Sequence, residues 1–431
     1  MFMSSNPSES VSEFVDFGLN PALMRAICDA EFVSPRPIQL QTVPATLEGR
    51  DILGLAETGS GKTAAFALPV LESLVRDRKR GGPRVLIVAP TRELVSQINQ
   101  EIKVLGKFTG VRTATVFGGV AFAPQMASLR KKPEIIVACP GRLLDLYRQG
   151  VLSLDQVEIL VLDEADHMFD MGFLPDVRRI INALPAQRQN LMFSATMPAE
   201  IRVLAERMLN HPQVVDLNHS GPVSTVEHAL YPVENSDKFS LLKHLCSQTE
   251  FVSAIVFTRT KYRAKRLAQR LARAGHRAVA LQGNMSQSQR VKAMEGFRRH
   301  RFDVLVATDI AARGIDVRQV SHVVNFDMPS TVDAYTHRIG RTGRAERQGK
   351  AYTFVTGEDR HLVGAVERRI GAPIPRKTVK GFSTIRFPES RLEERRAPRT
   401  PLQECSARGR KDTPAAGRRG PSGRPRFRKA S

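Results

Sequence analysis

The chain has 431 residues, 42% of them apolar, which is more than one ordinary core accommodates and points to two or three globular units. No stretch approaches the about eighteen uninterrupted apolar residues of a membrane span, and the polar start from Met1 to Glu13 lacks the layout of a signal peptide, so a cytoplasmic protein without membrane attachment is expected. The formal charge of +22 favours a polyanionic partner, with nucleic acid the leading class, because binding one would release its counterions.

Residues 1–13 read as a disordered N-terminus. Between Phe14 and Asp216, β-rich runs alternate with helical stretches: Ile52 to Leu55, Val85 to Ala89, Thr113 to Phe117, Ile135 to Ala138, Ile159 to Leu162 and Asn190 to Phe193. That alternation predicts a doubly wound parallel sheet over residues 14–217. Asn218 to Thr225, rich in Gly, Pro and Ser, fits a linker. The alternation then restarts over residues 226–375, with Ala254 to Phe257, Ala278 to Leu281, Val304 to Ala307, Val323 to Phe326 and Ala351 to Val355. From Arg376 to Ser431 there are 17 Lys and Arg against 5 Asp and Glu, so this segment supplies +12 of the net charge. With almost no apolar periodicity, residues 376–431 are expected to form a disordered basic tail that captures RNA without reading its sequence, or else a solvated solubility tail. Cys28, Cys139, Cys246 and Cys405 have no metal-ligand or CxxC spacing and receive no redox role.

Chemistry concentrates at two strand ends. Asp51 to Leu55 runs into Ala56-Glu57-Thr58-Gly59-Ser60-Gly61-Lys62-Thr63, a phosphate-binding loop opening a helix, although the strict pattern starts with Gly where this chain has Ala56. Glycines let backbone N–H groups approach phosphate oxygens, Lys62 is expected on the β and γ phosphates, and Thr63 offers its hydroxyl to Mg²⁺. The apolar run Ile159-Leu160-Val161-Leu162 ends in Asp163-Glu164-Ala165-Asp166, where an open α/β sheet binds ligands. Asp163 is the expected holder of Mg²⁺, partly through water, and Glu164 the group that orients and deprotonates an attacking water. Far along the chain, His337-Arg338-Ile339-Gly340-Arg341-Thr342-Gly343-Arg344 carries Arg341 and Arg344, which could stabilise charge on the transferring phosphoryl group. The second unit has no phosphate loop, so it should act on a nucleotide held by the first.

Further motifs follow in fixed order: Phe32-Val33-Ser34-Pro35-Arg36-Pro37-Ile38-Gln39, Pro90-Thr91-Arg92-Glu93-Leu94, Gly118-Gly119, Pro140-Gly141-Arg142, Ser194-Ala195-Thr196, Val256-Phe257-Thr258, Gln287 with Arg290, Ala307-Thr308-Asp309 and Arg313-Gly314-Ile315-Asp316. With the phosphate loop, the acidic quartet and the arginine loop, this set resembles the DEAD-box ATP-dependent RNA helicases over nearly all of Phe14 to Pro375. The compact core and basic tail are similar to the bacterial RhlE type. The resemblance implies two tandem RecA-like domains, ATP and Mg²⁺ as cofactors, and RNA as partner, in ribosomal or RNA-degradation assemblies.

It also implies roles residue by residue. Gln39 would read the adenine edge, Phe32 would stack on the base, Phe14 would buttress that motif, and Thr58, Gly59, Ser60, Gly61, Lys62 and Thr63 would cradle the phosphates. Asp316 would reach the ribose, and Asp166, Ser194 and Thr196 would couple hydrolysis to domain closure. Thr91, Arg92, Gly119, Gly141 and Arg142, with Thr258, Arg259, Gly283, Arg290, Thr308 and Arg313, would hold the RNA backbone, contacts that position a strand without reading its bases. Two positions depart from the family pattern: Glu31 stands where Gly usually precedes the stacking aromatic, and Cys139 replaces the common Thr. The expected activity is RNA-stimulated ATP hydrolysis that locally unwinds short duplexes or remodels RNA–protein complexes; an ATP-gated RNA clamp and a DNA helicase are the other readings.

Overall fold

A computed structural model describes residues 12–57, 59–79, 81–217, 226–309, 320–343, 349–382, 385 and 387. Its strands are β1 (Ile52–Leu55), β2 (Val85–Val88), β3 (Thr113–Val116), β4 (Ile135–Ala138), β5 (Ile159–Leu162), β6 (Gln189–Ser194) and β7 (Gln213–Asp216), then β8 (Val226–Pro232), β9 (Ala254–Phe257), β10 (Ala278–Leu281), β11 (Val304–Ala307), β12 (His322–Asn325) and β13 (Gly349–Val355). The first seven form one sheet in the order β3-β4-β2-β5-β6-β1-β7, and the rest form a second in the order β10-β11-β9-β12-β13-β8. The pairings are parallel throughout.

Val85–Val88 and Ile159–Leu162 are apolar and buried at every position because helices cover both faces of the sheet. Ile87, Val161 and Phe193 face one cluster with Phe66, Leu71 and Val95. Leu86, Leu160 and Met192, alternating with them, face another with Leu143, Val177 and Leu204. Each such side chain contributes about 1.5–3 kcal/mol when removed from water. The second sheet is sandwiched in the same way, with Val256 and Val306 on one face and Ile255 and Leu305 on the other.

Both predicted sheets are present, with two strands added. β7 and β8 carry Gln213, Asp216, Glu227, His228 and Pro232, polar or strand-breaking residues that hide their period, and they are the outer strands on one edge of each sheet. β12 starts at His322 rather than Val323, and β13 at Gly349 rather than Ala351. The expected linker at 218–225 lies outside the described residues, as do the N-terminus to residue 11 and the tail from 388 onward.

Packed chain continues past Pro375. Arg376 makes a β-bridge with Leu230 and pairs with Glu367, Lys377 Nζ lies 2.6 Å from Glu227, and Val379 and Phe382 pack on the second unit's core. The first basic residues after Pro375 therefore have carboxylate partners on the fold, which composition alone did not disclose. Among the described residues no helix is long and apolar enough to cross a membrane, and Cys28, Cys139 and Cys246 are free thiols.

Candidate active site

Sheet order separates two sets of loops in the first unit. β5, β6 and β1 are neighbours, and their carboxyl ends carry the acidic quartet, Ser194 with Thr196, and the phosphate loop. β3, β4 and β2 make up the other half, and their ends carry Gly119, Gly141 with Arg142, and Thr91 with Arg92.

Gly61 caps the helix Lys62–Arg76 in the left-handed region at φ 98°. A Cβ there would lie 2.8 Å from both Arg36 Cδ and Gln39 Nε2, so the turn admits only glycine. Lys62 is buried and donates from Nζ to the Ala56 carbonyl at 2.7 Å, holding its ammonium inside the loop. Thr63 is half-buried in the first turn of that helix, where the helix dipole favours negative charge. Ser60 Oγ is buried with no hydrogen-bond partner among the described residues, a donor available to a phosphate oxygen. Gln39 Oε1 accepts from Arg36 N at 2.9 Å, and Nε2 donates to Gly61 O at 3.2 Å. One lone pair and one N–H of that amide remain for a base edge. Phe14 is fully buried and meets Phe32 edge-on at 6.2 Å, while Phe32 stays partly open. Thr58 lies outside the described residues.

Asp163, Glu164 and Asp166 are all buried. Burial pushes the Asp163 carboxyl up to about 7, although Lys62 pulls the other way. Burial acts upward on Glu164 too, but His167, Lys62 and Arg341 outweigh it and hold that carboxyl down at about 2. Asp163 suits a cation site, because a buried oxygen ligand that is costly to ionise alone gains most from a divalent ion beside it. Glu164 itself sits at φ 53°, ψ 53°, a left-handed turn that starts the helix Ala165–Asp170. His167 Nδ1 lies 2.8 Å from Glu164 Oε2 and fixes that carboxylate. Asp166 Oδ2 accepts from Thr196 N and from Thr196 Oγ1, both at 2.9 Å, and Ser194 Oγ receives Asp166 N at 3.2 Å while donating to Thr196 O at 2.8 Å. The acidic segment and the β6 loop are thus one hydrogen-bonded unit.

The second unit reaches this unit directly. His337 Nε2 is 3.7 Å from Asp166 Oδ2, and its ring meets that of His167 edge-on at 4.9 Å. Arg341 is buried and close enough to lower the Glu164 carboxyl. Arg338 of the same loop has a different fate: its guanidinium pairs with Asp309 at 2.5 and 2.8 Å and donates to Asn325 and the Asp327 carbonyl, which anchors the helix Val332–Ile339 to the sheet. Arg344, Arg313 and Asp316 lie outside the described residues.

Among the residues expected on RNA, Thr91 caps the helix Arg92–Leu105, its Oγ1 accepting from Leu94 N. The Arg92 guanidinium lies over Gly119, whose φ is 73° and whose added Cβ would fall 2.1 Å from Nη1. Arg142, stacked near Phe122 at 5.7 Å, has a buried Nη1 with no hydrogen-bond partner among the described residues. In the second unit, Thr258 follows β9, Gly283 follows β10 and Thr308 follows β11, three neighbouring strands. Arg259 is exposed, its backbone N–H donating to Asp327 Oδ2. Arg290 is buried, and its Nε donates to Glu93 Oε1 at 2.6 Å, joining the helix Gln287–Arg298 to the first unit. Cys139 is buried, and burial pushes its thiol up to about 12, so it is an inert packing group at the start of the helix Pro140–Arg148.

Glu93, His167 and His337 had no functional role in the sequence reading. His167 could have been suspected from its place three residues after Glu164 on a helical turn. Glu93 and His337 make contacts across the two units, and no local pattern discloses such partners.

A phosphate loop and an acidic strand end in one parallel sheet, faced by arginine and histidine from a second parallel sheet, define the class of two-unit nucleotide-driven helicases. Family models agree: "DEAD/DEAH box helicase" matches residues 36–204 and "Helicase conserved C-terminal domain" matches residues 237–346. The chain is 42% identical over 381 residues to the ATP-dependent RNA helicase RhlB of Pseudomonas syringae pv. tomato, covering 86% of this chain and 96% of that protein. It is 40% identical over 356 residues to the DEAD-box ATP-dependent RNA helicase CshA of Bacillus subtilis, covering 82% of this chain and 72% of that one. Among solved structures, S. cerevisiae Dbp5 bound to RNA and ADP BeF3 superposes with a TM-score of 0.77 at 31% identity, over 85% of this chain and 95% of that one. The chain belongs to the DEAD-box ATP-dependent RNA helicases. The likeness to the RhlE type within that family stays an expectation, these relatives bearing the RhlB and CshA names.

Proposed function

We propose that ATP and single-stranded RNA together hold the two units closed, that closure displaces the partner strand of a short duplex, and that hydrolysis reopens the cleft. The observation that carries this is the joint at the acidic segment: Asp166 contacts Thr196 on one side and His337 of the second unit on the other, with Arg341 beside Glu164.

Gln39 and Phe32 select adenine, with Phe14 behind Phe32. Lys62, Ser60 and the backbone of the loop bind phosphates. Thr63 and Asp163 would hold Mg²⁺, which supplies charge neutralisation on the phosphates when bound. Glu164, ionised and held by His167, orients the attacking water and accepts its proton. Arg341, with Arg344 and Asp316 from the segments outside the described residues, would complete the site toward the γ phosphate and the ribose. Thr91, Arg92, Gly119, Gly141, Arg142, Thr258, Arg259, Gly283, Thr308 and Arg313 line the RNA backbone. Arg290, which pairs with Glu93 across the two units, joins this RNA-side set. We infer a cytoplasmic protein, where both ATP and RNA are at hand.

A clamp that binds RNA under ATP control without separating strands would use the same closed state. The deciding experiment mixes the full chain with a short RNA duplex bearing a single-stranded tail, and counts ATP consumed per strand released. Strand release that requires ATP supports unwinding, whereas ATP consumption with the duplex intact leaves the clamp.

A further inference from the structure

A cavity of about 960 Å³ lies along the free edge of the second sheet. Among the described residues β10 is the outermost strand there and pairs only with β11. A parallel ladder uses alternate residues of a strand, so half of the backbone N–H and C=O groups of Ala278–Leu281 point away from β11. The helices Lys261–Arg273 and Gln287–Arg298 rise on either side and make the edge the floor of a slot. Ala268, Ala272, Val279 and Ala293 supply small apolar walls, and Tyr262, 72% exposed, overhangs one lip.

The rims are strongly basic. Lys261, Lys265, Lys292, Arg299 and Arg301 line the slot against the single acid Glu295, an imbalance far beyond the chain-wide 65 basic to 43 acidic residues. Among the described residues Lys265, Lys292, Arg299 and Arg301 have no carboxylate partner. We propose that this slot binds an acidic, extended peptide segment of a partner protein, which adds a strand to β10 through main-chain hydrogen bonds while its carboxylates meet the rims. Charge decides the occupant. The chain's own tail carries 17 basic residues against 5 acidic ones and would be repelled, and a second copy brought edge to edge would set like rims against each other. RNA satisfies the rims but leaves the apolar walls and the strand edge unused.

The test measures fluorescence anisotropy of a labelled peptide of five Asp-Val repeats with the full chain, beside the same peptide N-methylated on its Asp residues or on its Val residues. Strand addition uses one face of the peptide, so one methylated form should lose about tenfold in affinity while the other binds normally. Hydrogen–deuterium exchange should show new protection in the fragment holding Ala278–Leu281. Lys265→Glu with Lys292→Glu should weaken binding by about tenfold or more, with RNA-stimulated ATPase unchanged as a check of folding. Equal binding of both methylated forms, indifference to the double substitution, or displacement of the peptide by single-stranded RNA with RNA affinity falling in the variant would overturn the proposal.

Discussion

Glu31 and Glu164 share a backbone that L-residues avoid, with φ of 54° and 53°. At Glu164 the strain has a return: the left-handed turn directs the carboxylate beside His167 and toward the cleft, as strained residues at active sites do. Replacing Glu164 with Gln keeps the turn but removes the proton acceptor. ATP and RNA binding should persist while steady-state hydrolysis falls by about two orders of magnitude or more; turnover near the native rate would remove Glu164 from that role. Glu31 is exposed, and no carboxylate contact offsets its strain among the described residues. Its position is the one where the family pattern carries Gly, and the positive φ supplies the reason. Glu31→Gly should therefore stabilise the fold by on the order of 0.5–1 kcal/mol, visible as a thermal midpoint higher by about 1–3 °C. An unchanged or lower midpoint would mean that Glu31 makes a contact worth more than its strain.

At the scale of elements, the carboxyl ends of β3, β4 and β2 hold one set of loops and those of β5, β6 and β1 another, so RNA-side and nucleotide-side changes should be separable. Gly119 tests this. Its added Cβ collides with the Arg92 guanidinium, so Gly119→Ala should displace a charge-assisted phosphate contact and weaken RNA binding by about tenfold or more. ATP affinity in the absence of RNA, titrated on the same sample, should not move; a parallel loss of both would mean that the loop sets are coupled within the first unit. The strands that carry these loops were legible where they are short apolar runs buried on both faces, as at Ile52–Leu55, Ile135–Ala138 and Ile159–Leu162. β7 and β8 were not, since outer strands hold polar residues and Pro232 without a period to reveal them. Chain beyond Pro375 was likewise read as tail, because the ion pairs of Arg376 and Lys377 depend on carboxylates brought near only by folding.

For the whole molecule, what matters is where the two units touch. The phosphate loop, acidic quartet and arginine loop were legible as motifs, yet their assembly was not. Arg290 and Glu93 stand 197 residues apart in sequence, and their 2.6 Å contact joins the two units. The same holds for His337 against Asp166. A split site of this kind should leave ATP hydrolysis slow until RNA bridges both units, since each ligand alone must bear the cost of ordering them. Steady-state ATP hydrolysis by the full chain, with and without saturating single-stranded RNA, measures this most directly. The rate should rise by about tenfold or more with RNA, whereas a rate indifferent to RNA would contradict a site completed by closure.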